Sequence, residues 1–346
     1  MNDRIARLRE LLEEPLLVTN PKNVLYLVGF QSSNTVLLVD GERVQLFTDF
    51  RYLEAARAVE GVEVVPAKRA ILADLAGRLS GRVGVEAATL AYTQVETLRG
   101  GGAIEVVPRV GLVERLRAVK DAAELDSLRR ACRITDRVYE RLSDVRFIGR
   151  TERDVSWDLT RLFHEEGGEG LAFESIVGSG PTGSRPHARA GDREIGRGEL
   201  VVIDAGCTVD GYASDYTRTF STGPVDEDAR EAYAVVLAAQ EAALATIRAG
   251  LPAVEADAAA RAVVEASPFT GMFGHGLGHG LGLDVHEEPR MSTETPDVLA
   301  VGNVVTVEPG VYVEGRFGVR IEDDVVVTAD GVENLTGFTK DLFDVS

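Results

Sequence analysis

Acidic residues stand inside apolar strand patterns at four places in the second half of this chain, and no other feature restricts its fold as much. In LVVIDAGCTVDGYASDYTRTF, Asp204 directly follows the apolar run 200–203, and Asp215 lies just beyond the dipeptide Asp210-Gly211. Asp-Gly is favoured in two-residue hairpin turns, where both central residues take positive φ. With those two residues at the turn, Asp204 falls opposite Thr217 and Asp215 opposite Gly206. The two acids then share a face as diagonal neighbours, roughly 7 Å apart at the backbone. The pattern recurs in NVVTVEPGVYVEGRFGVRIEDDVVVT, where Glu308 and Glu322 sit amid valines on either side of a turn near 314–318. A hairpin there brings these acids opposite or diagonal on one face, with Pro309 interrupting the ladder. A buried carboxylate is costly unless it is paired or coordinates a metal. The adjacent Asp323 and Asp324 are expected at a solvated edge.

The five histidines are at 164, 187, 275, 279 and 286, three of them within twelve residues. The segment GHGLGHGLGLDVHEEP is too rich in glycine for a helix, which excludes the helical two-histidine zinc motif. Its glycines instead let the backbone pass close to a site. His164 ends a helical pattern and reads as structural. One histidine with four carboxylates makes an oxygen-dominated donor set, suited to Mn²⁺, Co²⁺ or Zn²⁺ in a paired centre. Two divalent cations balance the four charges, hold a bridging water and stabilise an oxyanion, which is the chemistry of metal-assisted hydrolysis.

With 346 residues, 45% of them hydrophobic, the chain can bury a core in each of two domains. A formal net charge of -19 argues against nucleic acid and anionic membrane partners and for small molecules or peptides. The N-terminal residues lack a signal-peptide pattern and no run approaches a membrane span, so a cytoplasmic protein is expected. Cys132 falls in a polar helical pattern and Cys207 in an apolar strand, which does not suggest a disulfide framework.

Residues 1–115 read as a small α/β domain. VLYLVGF, NTVLLVD and RVQLFTD are expected as paired strands, helices at 51–59 and 69–79, and further strands at VEVVP, RVGVE and AIEVVP. From 112 to about 142, Leu116, Val119, Leu125, Leu128, Cys132, Ile134 and Val138 recur at helical spacing, predicting one bridging helix into a second domain, residues 116–346. Helices are expected at 151–166 and 227–248, then glycine-rich turns between strands.

These residues resemble the Xaa-Pro peptidases, the family of prolidase and aminopeptidase P, whose catalytic domain has the pita-bread fold. The family's five ligands fall in order on Asp204 and Asp215 of D-A-G-(x)8-D, His279 of G-H-G-L-G-H-G, Glu308 of V-E-P-G and Glu322 of R-I-E-D. LFTDFRY resembles part of its N-terminal domain and LRAVKDAAELDSLRRA its interdomain helix. The resemblance implies two divalent metal ions, Mn²⁺ first and Co²⁺ or Zn²⁺ as alternatives, and a homodimer. It implies that His187, in GPTGSRPHA, bonds the substrate and stabilises the tetrahedral intermediate. His286, in VHEEP, would contact the substrate's carbonyl or proline side, and His275 and Thr217 would support the ligands. Glu308 would also shuttle a proton to the leaving nitrogen, and Arg290, after HEEP, would bind the free carboxylate of a dipeptide.

The implied activity is hydrolysis of Xaa-Pro dipeptides, with cleavage of longer peptides by an Xaa-Pro aminopeptidase as the alternative. Methionine aminopeptidases commonly lack so large an N-terminal domain and usually carry glutamine where this chain has Arg320. Creatine-hydrolysing relatives lack the ligands. A peptide-binding module without catalysis would have lost ligands or catalytic histidines, and all of them are present here.

Overall fold

The computed structural model describes residues 3–346, which form two compact units that divide between Arg117 and Ala118. None of the described helices is long and apolar enough to cross a membrane.

In the first unit the chain runs through α1 (Asp3–Arg9), β1 (Leu16–Val18), α2 (Pro21–Val28), β2 (Thr35–Val39), β3 (Val44–Thr48), α3 (Leu53–Ala56) and β4 (Glu63–Pro66). It continues through α4 (Ile71–Ala76), β5 (Gly81–Glu86), α5 (Tyr92–Gly100), β6 (Ile104–Arg109) and α6 (Leu112–Arg117). The strands make one mixed sheet in the order β4-β3-β2-β1-β5-β6 over a core that includes Leu17, Val36, Phe47, Leu75 and Val85. Pro66 and Pro108 both fall on edge strands, where a missing N–H costs no ladder bond.

One segment differs in kind from the expectation: VLYLVGF is helical. Asn20 caps α2 by accepting from the Lys22 N–H at 3.0 Å, Pro21 fills the first turn, and Gly29 ends the helix in left-handed conformation at φ 67°. Periodicity alone does not separate a short apolar run into helix and strand, and here the caps decide.

The second unit contains α7 (Ala122–Ser143), α8 (Glu152–Glu165), β7 (Ile176–Ser179), β8 (Leu200–Ala205), β9 (Thr208–Val209), β10 (Tyr212–Ala213) and β11 (Tyr216–Ser221). After α9 (Glu227–Thr246) and α10 (Ala253–Glu265) come β12 (Gly278–Gly280), β13 (Glu287–Met291), β14 (Val304–Val307), β15 (Gly310–Val313), β16 (Phe317–Arg320), β17 (Asp323–Val327) and β18 (Val332–Asn334). The helix expected over 112–142 is therefore two helices. Asp121 starts α7 as its N-cap, accepting from the Ala123 and Glu124 N–H groups, while the Glu124 carboxylate accepts from the Asp121 N–H. α10 lies where turns and strands were expected. Its alanines and those of α9 let the two helices pack closely in one core.

α7 and α8 share a second core with the sheet β11-β8-β7, and the sheet β13-β12-β14-β17-β18 lies beyond it in the chain. The first acidic hairpin has the expected register, Asp204 opposite Thr217, with Asp210 at φ 51° and Gly211 at φ 80° in its turn. In the second, Val307 pairs with Asp323 and Gly310 with Arg320, a common register that puts Glu308 across from Glu322. Its turn occupies 314–316, slightly earlier than expected.

Asp323 and Asp324 are not at a solvated edge; both are fully buried, because β17 is an interior strand. Asp323 pairs with Arg218 at 2.9 Å and Lys340 at 2.5 Å. Arg218, 1% exposed, gives its donors to Asp323 and to the carbonyls of Thr217, Glu322, Phe338 and Thr339. One side chain thus ties the strand after Asp215 to the strand end bearing Glu322. Arg218→Met removes the buried cation beside Asp323 and the side-chain donor to four carbonyls, and urea unfolding at pH 7 is expected to show a loss of about 3–5 kcal/mol. A loss under about 1 kcal/mol would contradict this role.

Candidate metal centre

His279 is placed by a crossing of strands too tight for any other residue beside it. A Cβ on Gly278 would lie 2.1 Å from the Thr306 carbonyl oxygen, and one on Gly280 2.2 Å from that of Glu288. The His279 Nδ1–H donates to the Gly280 carbonyl at 3.0 Å, which leaves Nε2 with a free lone pair. That Nε2 lies 3.4 Å from Glu308 Oε1 and 3.7 Å from Asp215 Oδ2. Asp215, His279 and Glu322 each present a donor atom within 4.8 Å of the others, and all three are buried.

Asp204 and Glu308 border this group. Asp204 Oδ2 accepts from Arg320 at 2.6 Å, while its Oδ1 is buried without a hydrogen-bond partner. Thr217 accepts from Arg320 Nε at 2.9 Å and donates to Glu322 at 2.6 Å, fixing that carboxylate's orientation. Arg320 also donates to the Tyr312 hydroxyl at 2.9 Å. The hydroxyl is 3.0 Å from His275 Nε2, and His275 Nδ1 is 2.8 Å from the Gly276 carbonyl. Only one direction suits the chain of bonds: Arg320 to Tyr312, Tyr312 to His275, His275 to Gly276. His275 is thereby neutral, and burial holds its pKa down to about 4.

Burial and mutual repulsion push the carboxyls of Asp215 and Glu322 well above the usual range. Burial raises Glu308 to about 8 against the pull of Arg320, and lowers His279 to about 3. Among the described residues, Arg320 is the guanidinium bonded to this cluster of four carboxylates. The orphaned Asp204 Oδ1, the free imidazole nitrogen and the oxygen-rich donor set fit divalent cations.

His187, His275, His286 and Arg290 line the same cavity, about 570 Å³, as all five candidate ligands, whereas Thr217 acts from behind Glu322. The His286 ring centroid is 4.3 Å from that of His279. Arg290 lies opposite His279 in the β12–β13 register. Its N–H donates to Asp297, but its exposed guanidinium has no hydrogen bond or ion pair among the described residues. His164 is exposed at the end of α8, and Cys132 and Cys207 are free, buried thiols. The sequence reading missed Tyr312 and Asp324, and it used Arg320 only to set relatives apart. A signal for Arg320 existed, since residues two apart in a strand share a face and Arg320 precedes Glu322 by two.

Residues 126–329 match the model of metallopeptidase family M24, and residues 4–119 match the creatinase/prolidase N-terminal domain. The chain is 33% identical to the Xaa-Pro dipeptidase of Pyrococcus furiosus, over 99% of this chain and 100% of that protein. Among solved structures it is similar to an Xaa-Pro dipeptidase from Bacillus anthracis, with TM-score 0.95, 36% identity and 99% of each chain covered. It is also similar to an X-Pro aminopeptidase from Thermotoga maritima, with TM-score 0.90, 32% identity and 99% of each chain covered. A buried donor set suited to divalent cations and likeness along the full chain lead to one conclusion: this protein belongs to metallopeptidase family M24, with a creatinase/prolidase N-terminal domain preceding its catalytic domain.

Proposed function

We propose that this metal-dependent hydrolase cleaves the Xaa-Pro bond of dipeptides. The observation that carries the reading is the single cavity in which the buried acid and imidazole donors face an unpartnered guanidinium, Arg290. Full-length relatives named Xaa-Pro dipeptidases support it. Cleavage of longer peptides is the second reading, favoured by the likeness to the Thermotoga maritima X-Pro aminopeptidase.

In this reading Asp204, Asp215, His279, Glu308 and Glu322 hold two divalent ions, Mn²⁺ before Co²⁺ or Zn²⁺. When bound, the ions supply a nucleophilic water of lowered pKa and charge stabilisation for the oxyanion. Glu308, at the cavity wall, takes the proton from the attacking water and delivers it to the proline nitrogen. His187 donates to the developing oxyanion, His286 orients the proline side, and Arg290 binds the terminal carboxylate. Thr217 and His275 keep the ligands in place through Glu322 and the Arg320–Tyr312 chain.

We assign residues 1–115 to the N-terminal domain and 116–346 to the catalytic one. A homodimer is proposed from the family resemblance, a cytoplasmic location from the two free thiols, and peptides over nucleic acid or membranes from the net charge of -19.

His187→Ala is expected to lower turnover by about 10²–10³ while metal content by elemental analysis stays unchanged. Loss of metal would instead make His187 a ligand. Arg290→Ala should reduce kcat/KM by about ten-fold to over a hundred-fold on an Xaa-Pro dipeptide and much less on the corresponding tripeptide, because only the dipeptide offers a carboxylate there. Equal losses on both would favour the aminopeptidase reading.

Stability of the metal-free protein should depend on pH in a defined direction. Glu308 titrates at about 8 when folded against an ordinary 4.5, so its contribution is present below pH 4.5 and lost as pH rises through 8. His279 is at about 3 against 6.5, so its contribution is present above pH 6.5 and lost as pH falls towards 3. Between pH 6.5 and 8 the carboxyl effect stands alone. The Tm of chelator-treated protein should fall across that window, and that of the metal-loaded protein should not. Parallel curves for the two forms would count against the centre.

A further inference from the structure

The two strands that carry the first pair of acids do not form an unbroken ladder. Regular pairing of β8 with β11 ends at Ala205 opposite Tyr216, and β9 with β10 resumes at Thr208 opposite Ala213. Between them, the backbone is pinched at Gly206, where a Cβ would lie 1.8 Å from the Ser214 carbonyl oxygen. Across it the Ser214 N–H still donates to the Cys207 carbonyl at 2.9 Å, so the Asp215 N–H points away from β8 towards the open edge of β11. That amide and the Cys207 N–H need other partners, since a buried unpaired amide costs as much as a lost hydrogen bond.

Side chains supply them. The Cys207 N–H donates to the Ser214 hydroxyl at 3.1 Å, and that hydroxyl is held by Thr135 of α7 at 2.7 Å. The Asp215 N–H donates to Asp324 Oδ2 at 2.9 Å. Asp324 is fully buried, and the same oxygen accepts the Cys132 thiol at 3.3 Å. Its own backbone is fixed by bonds from its N–H to the Thr336 hydroxyl at 3.0 Å and from the Leu335 N–H to its carbonyl at 2.9 Å. Its Oδ1 has no hydrogen-bond partner among the described residues. A fully buried carboxyl with one unmatched oxygen is a costly way to satisfy a single amide, and an apolar residue would fill the space at less cost.

We propose that Asp324 is a positioning residue for the metal centre: its carboxylate replaces the strand partner that the Asp215 N–H lacks, and so sets the direction in which Asp215 presents its oxygens. The inference rests on the reading of Asp215 as a ligand. Asp324 reaches no substrate and acts only through Asp215. Partners of this kind change metal affinity by about 10–100-fold when removed.

The test compares Mn²⁺ affinity, by titration of chelator-stripped full-length protein, for Asp324→Asn, Asp324→Leu and Asp324→Ala. Asparagine keeps an acceptor for the Asp215 N–H; leucine keeps the volume and alanine keeps neither. Affinity is expected to drop about 10–100-fold for leucine and alanine and to stay within about three-fold for asparagine. Leu159→Ala in the α8 core is the control: it should lower the Tm of the metal-free protein without changing affinity. Unchanged affinity in Asp324→Leu, or a loss in Asp324→Asn as large as in Asp324→Leu, overturns the proposal. Should alanine fail to fold, leucine decides. If the wild-type protein takes up none of Mn²⁺, Co²⁺ and Zn²⁺, the metal reading itself has failed. Hydrogen exchange at the Asp215 amide then still decides for Asp324: protection lost in Asp324→Leu and kept in Asp324→Asn supports it, and no difference overturns it.

Discussion

Four carboxylates crowded around one imidazole set the terms for the rest of the catalytic unit. Two like charges about 4 Å apart cost about 4 kcal/mol at an effective dielectric near 20, and several such pairs approach the net stability of a whole domain. Among the described residues the guanidinium bonded into this cluster is Arg320, which donates to Asp204 and lies 4.0 Å from Glu322. In the absence of metal, burial first and then the remaining repulsion raise the carboxyls of Asp215, Glu308 and Glu322, so that charge is relieved by proton uptake. Metal binding and deprotonation are thus one coupled event.

Such a cluster needs a scaffold that does not relax when the carboxylates repel. Arg218 ties two carbonyls at or beside the candidate ligands, those of Thr217 and Glu322, to the carbonyls of Phe338 and Thr339 near the C-terminus. Glycines at 206, 278 and 280 let backbones meet at distances no side chain permits, so the ligand strands cannot separate without losing these contacts. The crowded centre therefore tends to bind protons or cations instead of opening.

Much of this was legible because a carboxylate inside an apolar strand states both burial and a need for a partner. The Asp210-Gly211 turn fixed the first register, and the recurrence of the pattern indicated the second hairpin. What periodicity cannot state is which distant group supplies the partner. Asp323 and Asp324 read as surface acids because their partners, Arg218, Lys340, Cys132 and the Asp215 amide, lie many residues away. The helix at 21–28 was hidden for a different reason: a run of seven mostly apolar residues suits either period, and only Asn20, Pro21 and Gly29 distinguish them. The break between α6 and α7 had a local signature, the capping box from Asp121 to Glu124, masked by helical spacing on both sides.

The cavity divides into groups that are already satisfied and groups that are not. Thr217, His275, Tyr312 and Arg320 use their hydrogen-bonding capacity on one another and on the candidate ligands, which leaves little of it for a substrate. His187, His286 and Arg290 are exposed to the cavity, and burial of His286 beside Arg290 lowers its pKa, favouring the neutral ring. A neutral imidazole at His286 can donate to a carbonyl oxygen without adding a cation that competes for the carboxylates. Arg290, which lines the cavity together with Arg189 and whose guanidinium has no partner among the described residues, is then free for an anion that the acidic interior would otherwise repel. A short peptide with a free carboxylate matches that polarity, with a carboxylate suited to the guanidinium and a carbonyl suited to the imidazole donors.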